Sequence, residues 1–220
     1  MFFSDKKRTL SFWGRSEIEH PWFARFYIWG QDGLERAVGD LRKYQNQRAL
    51  GRTLIVGAGT GLDIPQLGLG VTEAVLNEPE PTLREYLHSR YPNMSILSTP
   101  GESLDTGDQE FDTVLSSFVL CSVNRIDDVL KEIFRVLKPG GQYLFLEHVR
   151  HHVPMFTVMQ DVLNPMWKPL GGGCHLNRDV YSALTRSPLA LVEYTLVRPG
   201  FLLPIVNGRA VRPLDKTPQR

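Results

Sequence analysis

A glycine-rich loop and one acidic residue are the parts of this sequence best suited to chemistry. Gly57, Gly59 and Gly61 alternate directly after the apolar run Leu54–Val56. Glycine has no Cβ, so the backbone can turn sharply and a ligand can lie against it. Glu78 ends a second apolar run about 20 residues downstream, where a carboxylate could accept hydrogen bonds from both hydroxyls of a ribose. The spacing therefore predicts a nucleotide-cofactor loop between a buried strand and a helix.

The spacing within this loop separates it from other nucleotide sites. A dinucleotide fingerprint would need glycine or alanine at position 62, where this chain has Leu62. A triphosphate-binding loop would need Gly-Lys followed by Ser or Thr, which the loop lacks. The pattern therefore favours an adenosine ligand without phosphates and disfavours a dehydrogenase.

Length and composition indicate one globular domain over residues 1–220. The chain is 42% apolar with a formal net charge of +1, which gives no strong field for nucleic acid. The only two cysteines, Cys121 and Cys174, indicate neither a disulfide framework nor a structural zinc site, so we expect no metal. The sequence has no apolar run near about 18 residues and no signal-peptide pattern after Met1, so it predicts a cytoplasmic location.

From residue 52 onwards, short apolar runs alternate with amphipathic segments. Strands are predicted at 53–56, 71–76, 95–97, 111–117 and 142–148, and helices at 81–90, 126–137 and 177–186. Such alternation is typical of parallel βαβ units with right-handed crossovers. Two final strands are predicted at 189–197 and 201–212, the last antiparallel. The expected fold is α/β, Rossmann-like and doubly wound, with a mostly parallel seven-stranded sheet.

The N-terminal segment, residues 1–50, is rich in aromatic side chains at helical spacing, Trp13 and Tyr27 among them. Helices are predicted from Pro21 to about Gly30 and from Leu34 to Gln47, with the proline in the first turn. We interpret the segment as a helical lid over the cofactor.

The segment of residues 150–176 interrupts the alternation after the fifth strand. It is too long for an ordinary loop and too apolar for a linker, so we interpret it as an insertion. With the N-terminal segment it would form an apolar pocket above the core of residues 51–149, and residues 177–220 would complete the domain. The candidate pocket residues are Tyr27, Met159, Trp167 and Cys174.

Four landmarks in a fixed order carry a family resemblance: Val56–Gly61, Glu78-Pro79, Phe111–Val114 and Leu137–Gly141. Together they resemble the class I S-adenosylmethionine-dependent methyltransferases. Shorter pieces resemble the methyltransferase-like protein 7 branch and small bacterial relatives of the ubiquinone/menaquinone methyltransferases; these are Val119–Val123, Glu147–Val149 and Gly173-Cys174.

The resemblance implies S-adenosylmethionine as cofactor and S-adenosylhomocysteine as product. The loop residues that would approach the methionine part are Gly57, Ala58, Gly59 and Gly61. Glu78 would bind the ribose, and the turn of Gly101, Glu102 and Ser103 would lie at the adenine. Ser117 and Phe118 would border the sulfonium and the substrate. The family usually has an acid two residues before the first glycine, which helps to place the methionine amino group; here that residue is Ile55.

Methyl transfer is an in-line displacement at carbon, for which the cofactor already carries a reactive sulfonium. The protein must align the acceptor and exclude water, and a base is needed only if the acceptor must lose a proton. His148, at the end of the fifth strand, is the candidate substrate-site residue or base. His151 and His152 are predicted to lie at the surface. Cys174 and His175 are not expected to form a nucleophilic pair, because adjacent side chains do not naturally face one another.

The leading hypothesis is methyl transfer to a small apolar or aromatic acceptor. The resemblance favours sulfur or nitrogen as the acceptor atom, with oxygen and carbon still open. A quinone precursor or a phospholipid amine is the alternative substrate, and the N-terminal helix leaves membrane association open although it has no strongly basic face. Ile55 also leaves open a non-catalytic cofactor-binding or scaffold protein. The sequence indicates no nucleic-acid partner and does not fix the oligomeric state.

Overall fold

The computed structural model describes residues 19–214, so the predicted role of Trp13 lies outside the described residues. The strands are β1 (Gly51–Val56), β2 (Val71–Asn77), β3 (Ser95–Leu97), β4 (Phe111–Ser117), β5 (Leu137–His148), β6 (Ala190–Arg198) and β7 (Ile205–Val211). The helices are α1 (Pro21–Asn46), α2 (Pro81–Arg90), α3 (Ile126–Val136), α4 (Pro154–Leu170) and α5 (Val180–Arg186).

The seven strands form one sheet in the order β3-β2-β1-β4-β5-β7-β6. The first five are parallel, and β7 runs antiparallel to both of its neighbours, which confirms the predicted fold class. The strand order reverses at β1, where Val56 pairs with Asn77 of β2 and with Ser116 of β4. Ligands of open α/β sheets bind outside the carboxyl ends of the strands at this reversal. The topology therefore places a crevice at the loop that follows β1.

The core lies on both faces of the sheet, because alternate side chains of each strand point in opposite directions. Leu54 belongs to a buried cluster that includes the apolar face of α3, with Val129 and Ile133 fully buried. Ile55 belongs to the cluster on the other face, packed with Leu76 and its neighbours. Ile55 is therefore a core residue, and β1 has no acidic side chain at this position that could face the crevice.

Helix α1 differs from its prediction. One continuous helix, Pro21–Asn46, replaces the two that were expected to separate between Gly30 and Leu34. A glycine inside a helix costs only about 1 kcal/mol relative to alanine, so packing can override it. In this case α1 packs against both α2 and β5, and Ala24 and Val38 are buried along its length. Pro21 occupies the first turn, as predicted.

The start of β5 also differs from its prediction. Lys138–Gly141 was expected to be a turn between a helix and a strand beginning at Gln142. In the structure β5 begins at Leu137. Its pairing with β4 jumps from Phe111 opposite Leu137 to Thr113 opposite Gln142, so the turn residues form a bulge within the strand.

Helix α4 occupies most of the predicted insertion, and it is anchored through Gln160, which is fully buried. The Gln160 side chain accepts a hydrogen bond from His151 N and donates one to Leu202 O. The large apolar side chains exposed along the rest of the helix are Met155, Val158, Val162, Met166 and Leu170. Among residues 19–214, no helix combines the length and apolar character needed to cross a membrane.

The loop after β4 is held by the buried carboxylate of Glu147, which lies on β5. Its Oε1 accepts hydrogen bonds from Val119 N, Leu120 N and Ser116 Oγ, each at 3.0 Å. Glu147 is 0% exposed, and burial raises its pKa to about 7. Phe118, in the same loop, has a φ of 61°, which is strained for a residue with a side chain. Glu147 therefore fixes a strained loop that borders the crevice.

Replacing Glu147 should lower the stability of the protein, because its buried carboxylate holds the loop after β4. Glu147→Ala leaves the backbone N–H groups of Val119, Leu120 and Cys121 without their acceptor, so we expect the free energy of unfolding to fall by about 3 kcal/mol. Urea denaturation measures the change. Glu73→Ala is the control, because Glu73 forms only a half-exposed ion pair with Arg52 and should cost under about 1 kcal/mol. Equal losses in the two variants would contradict the role assigned to Glu147.

Candidate active site

The loop after β1 adopts backbone geometry that only glycine accepts easily. Gly57, Gly59 and Gly61 have φ values of 64°, 56° and 81°, in the left-handed region. A Cβ at Gly57 would lie 2.5 Å from Val119 Cγ2, so the loop after β4 closes on it directly. Ala58 N donates to Asn77 O at 2.9 Å and ties the loop to β2. The structure therefore has a glycine-dependent loop at the predicted place, but the helix expected after it is only a 3-10 turn, Ile64–Gln66, before β2.

Glu78 follows β2 and reaches this loop. Its Oε2 accepts a hydrogen bond from Gly59 N at 2.7 Å, and its Oε1 accepts one from Glu80 N at 2.9 Å. The side chain is 4% exposed, and burial raises its pKa to about 7 against the opposing effect of these two hydrogen bonds. Loop and carboxylate thus lie side by side, while the binding of a ribose by Glu78 stays a prediction.

Asp63 is a central residue of the site that the sequence interpretation missed. Its Oδ1 accepts three hydrogen bonds, from Arg42 Nη1 at 2.9 Å, Asn46 Nδ2 at 2.9 Å and Ser117 Oγ at 2.8 Å. One carboxylate oxygen therefore joins α1, the end of the glycine loop and the end of β4. The only sequence signal was an acid two residues beyond the last loop glycine, because its partners are distant along the chain.

Arg42 has a buried donor without a partner among the residues that the structure describes. The residue is 2% exposed and forms ion pairs with Asp63 and Glu35. Its Nη2 has no hydrogen-bond partner among residues 19–214. Buried donors in native proteins are usually satisfied, so this nitrogen indicates a place where a ligand acceptor fits.

Tyr27 of α1 lies directly over the glycine loop. A Cβ at Gly59 would be 3.4 Å from Tyr27 Cε1, and burial raises the pKa of this phenol to about 12. The next aromatic ring, Phe23, is 5.8 Å from Tyr27 and would collide with a side chain at Gly172. Helix α1 therefore touches both the cofactor loop and the segment after α4, as expected of a lid. Tyr27, predicted to line the substrate pocket, lies at the cofactor loop.

The predicted adenine turn lies beside the carboxyl end of β1. A Cβ at Gly101 would be 3.5 Å from Val56 Cγ1. Glu102 Oε1 accepts hydrogen bonds from Asn124 N and Arg125 N, so this carboxylate supports the start of α3. Ser103 is exposed. The position is next to the crevice, and contact with an adenine stays a prediction.

A second group of side chains lies at the carboxyl ends of β4 and β5. The ring of Phe118 is 4.5 Å from that of His148, the half-buried last residue of β5. His148 Nδ1 is 3.9 Å from Cys174 Sγ. The structure thus brings together three predicted site residues, His148, Phe118 and Cys174. The other two pocket candidates, Met159 and Trp167, are half-buried on α4.

The two cysteines meet in this group although they are distant in sequence. Cys121 and Cys174 are both buried and interact with each other. The interaction with Cys174 and burial raise the pKa of Cys121, whereas hydrogen bonding to Cys121 and to His148 lowers the pKa of Cys174. The region therefore contains one thiol with enhanced thiolate character beside an imidazole.

The remaining histidines have structural positions. His175 Nδ1 lies 3.1 Å from Cys121 O and 2.9 Å from Arg178 Nη2. The ring therefore interacts with these two groups and does not pair with Cys174. The prediction that His151 lies at the surface was wrong. It is 9% exposed, its Nδ1 accepts from Val153 N, and it is covered by the start of α4. His152 is exposed, as predicted.

Comparison with known proteins identifies the chemistry of this site. A family described as a methyltransferase domain matches residues 54–145, which contain the glycine loop and Glu78. The chain is similar to thiol S-methyltransferase TMT1B of Rattus norvegicus, with 31% identity over 189 residues that cover 80% of this chain and 75% of that protein. It is also similar to the ubiquinone/menaquinone biosynthesis C-methyltransferase UbiE of Nitrobacter hamburgensis, with 36% identity over 95 residues that cover 43% of this chain and 38% of that protein.

Among solved structures, the fold is similar to that of geranyl diphosphate C-methyltransferase from Streptomyces coelicolor, which was crystallised with S-adenosyl-L-homocysteine. The TM-score is 0.64 at 12% identity, over 81% of this chain and 77% of that chain. The described sheet, the loop at its strand-order reversal and the matched sequences agree with one another. The chain belongs to the class I S-adenosylmethionine-dependent methyltransferases, in the family that contains the TMT1 thiol S-methyltransferases.

Proposed function

We propose that this methyltransferase acts on the sulfur of a small apolar thiol. The observation that carries the proposal is the character of the side chains across the crevice from the cofactor loop. Phe118 and His148 are in ring contact there beside Cys174, and His148 is the candidate base among them. A thiol is partly ionised near neutral pH and needs little help to lose its proton. The similarity to thiol S-methyltransferase TMT1B supports the same acceptor atom.

The residues of this chain contribute mainly alignment and exclusion of water. S-adenosylmethionine supplies an electrophilic methyl group on a sulfonium, so the protein needs no nucleophile of its own. Tyr27 covers the loop from the side of α1 and Phe23 packs beside it against Gly172, so the two rings would limit the access of water to the site. Glu147 fixes the loop that carries Phe118, and with it one wall of the acceptor site. Holding the acceptor in line with the methyl group would supply most of the acceleration.

The site fits the nucleoside half of the cofactor. The lack of a Cβ lets Val119 and Tyr27 approach the Gly57–Gly61 backbone closely, and Glu78 lies at its edge with both oxygens on backbone donors. We infer that the ribose hydroxyls take over Oε2 when the cofactor binds, and that the Gly101–Ser103 turn borders the adenine. Both inferences rest on the carboxyl ends of β1 and β2, where such ligands bind in this fold.

We further infer that Arg42 and Asp63 hold the methionine end of the cofactor. The acid usually found two residues before the first glycine is replaced by Ile55, which is buried in the core. Asp63 offers a carboxylate to the ammonium group from the other end of the loop. The unpaired Nη2 of Arg42, 2% exposed, offers a donor to the carboxylate. The two charges of the amino acid would then meet two charges of the opposite sign.

The acceptor can be identified with labelled S-adenosylmethionine and a panel of small thiols, amines, phenols and reduced quinones. We expect turnover with apolar thiols at least about tenfold above every other class, because a thiol needs little help to lose its proton whereas the other acceptors need a positioned base. Liposomes containing phosphatidylethanolamine test the lipid alternative in the same assay. A preference for quinone carbon or for lipid amines would overturn the thiol assignment, and turnover with none of them would favour a scaffold protein.

Glu78 should control affinity for the nucleoside and its pH dependence. Glu78→Ala removes a charged acceptor, so we expect S-adenosylhomocysteine binding to weaken by roughly 1.5–3 kcal/mol in calorimetric titrations. The folded-state pKa of Glu78 is raised to about 7, so the carboxyl is protonated below that pH and accepts hydrogen bonds less well. Affinity should therefore rise as the pH increases from about 6 to about 8, and the rise should disappear in Glu78→Gln. Glu85→Ala, at an exposed position of α2, is the control.

Asp63 should control affinity for the amino-acid end alone. Asp63→Asn keeps the shape of the side chain but removes its charge, so we expect S-adenosylhomocysteine to bind about 10–100-fold more weakly. The affinity for 5′-methylthioadenosine, which lacks the amino acid, should be unchanged. Glu78→Ala should weaken both ligands. Equal losses for both ligands in Asp63→Asn would show that the carboxylate only supports the fold.

A further inference from the structure

Three soft ligand atoms converge at the acceptor side of the crevice. Cys121 comes from the loop before α3, His148 from the end of β5 and Cys174 from the segment after α4. One ligand atom from each side chain lies within 4.8 Å of the other two, and the distance from Cys174 Sγ to His148 Nδ1 is 3.9 Å. Cys121 and His148 are 27 positions apart and His148 and Cys174 are 26 apart, so no short sequence motif indicated that they meet.

The distances between these three atoms are close to those between the ligand atoms of a bound zinc ion. With Zn–S bonds of about 2.3 Å and Zn–N bonds of about 2.0 Å, tetrahedral geometry separates the ligand atoms by roughly 3.5–3.8 Å. The three atoms would therefore have to move by about 1 Å or less. No backbone rearrangement is needed to bring them onto one ion.

The surroundings of the three atoms suit a soft, partly desolvated cation. Cys121 and Cys174 are 1% and 7% exposed, and no carboxylate belongs to the described ligand set. Two thiolates and an imidazole favour Zn²⁺ over Mg²⁺ or Ca²⁺, which prefer oxygen. The Trp167 indole lies beside Cys174 and contributes to lowering its pKa, although its Nε1 makes no hydrogen bond of good geometry within residues 19–214.

The backbone also fixes these ligands before any metal binds. Cys121 O accepts hydrogen bonds from His175 N, and Cys121 N approaches the Glu147 carboxylate at 3.4 Å. The His148 ring packs against the Phe118 ring at a tilt of 37°. A preorganised set of ligands is what a functional metal site requires, because less conformational entropy is lost on binding.

We propose that Cys121, His148 and Cys174 bind a zinc ion whose fourth position is open to the acceptor thiol. Three protein ligands with one free position are typical of catalytic zinc sites, whereas structural sites have four. The geometry of the three side chains alone supports the metal site. Its role towards the acceptor rests on the proposed thiol methyltransferase function.

The chemistry balances without a further reagent. An acceptor thiol loses its proton to solvent on coordination and becomes a zinc-bound thiolate, since a coordinating thiol is deprotonated. An electron pair on its sulfur forms the new bond to the methyl carbon of S-adenosylmethionine. The old bond between methyl carbon and sulfonium breaks, and its electrons stay on the sulfur of S-adenosylhomocysteine. The methylated product is a neutral thioether, a weaker zinc ligand, and it leaves.

Cobalt titration tests the metal site independently of activity. The full-length protein is stripped with a chelator, kept reduced with a phosphine and titrated with Co²⁺. We expect one equivalent to bind with a thiolate-to-cobalt charge-transfer band that Zn²⁺ abolishes. Cys121→Ser, Cys174→Ser and His148→Asn should each weaken binding by at least about tenfold. His152→Asn, at an exposed position nearby, should bind like the wild type. Absence of the band, or a band that survives both cysteine variants, would overturn the site.

A second measurement covers variants that fail to fold. In the wild-type protein, Zn²⁺ should slow alkylation of Cys121 and Cys174 by iodoacetamide, as read by mass spectrometry. Alkylation at the same rate with and without Zn²⁺ would also overturn the site.

The acceptor role has its own readout. Adding a small alkyl thiol should shift the cobalt spectrum, and zinc should restore thiol methylation to the stripped enzyme. If the stripped enzyme methylates thiols at the full rate, the zinc role fails while the proposed function stands. If cobalt binds but thiols are not methylated, the metal site stands while the proposed function fails.

Discussion

The carboxylate of Asp63 is the interaction on which the arrangement of this site depends. One oxygen of this buried group accepts hydrogen bonds from α1, through Arg42 and Asn46, and from Ser117 at the end of β4. The carboxylate and its donors come from three separate chain segments, and Glu35 adds a second charged group there by pairing with Arg42 and accepting a hydrogen bond from Gln66. Because the group is 3% exposed, loss of any donor would leave a desolvated charge with too few partners. The N-terminal helix is therefore tied directly to the residues after the glycine loop and borders the proposed cofactor site.

The sheet could be predicted because its signals are local. Each strand is a short apolar run, and the glycine loop, Glu78 and the apolar face of α3 lie within continuous stretches of sequence. The errors arose where tertiary packing overrides local preference. Gly30 did not end a helix that packs on both α2 and β5, and Lys138–Gly141 became a bulge because β5 pairs with β4 around it.

The side chains of the site could be predicted only in part, for the same reason. Gly59 and Glu78 were found because a strand and a known spacing connect them, and they do share a hydrogen bond. The sequence did not predict the contacts of Asp63 with Arg42 and Ser117, because no local pattern indicates which residue of a helix faces the loop. The same limit applies to Cys121, His148 and Cys174, which looked like two separate cysteines and an isolated histidine. A buried polar atom that lacks a partner within residues 19–214, such as Arg42 Nη2, can be recognised only once the positions of its neighbours are known.

The contact of Phe23 with Gly172, and of Tyr27 with Gly59, has a kinetic consequence. Together these contacts cover the crevice from the side of α1. If the nucleoside binds at the glycine loop as proposed, exchange of the spent cofactor would require α1 to move away, carrying Arg42 with it. The buried charge pair of Arg42 and Asp63 would then open in each catalytic cycle, and such helix motions typically take microseconds to milliseconds. Turnover would thus depend on a conformational step, and the rate of product release would be set by the N-terminal helix.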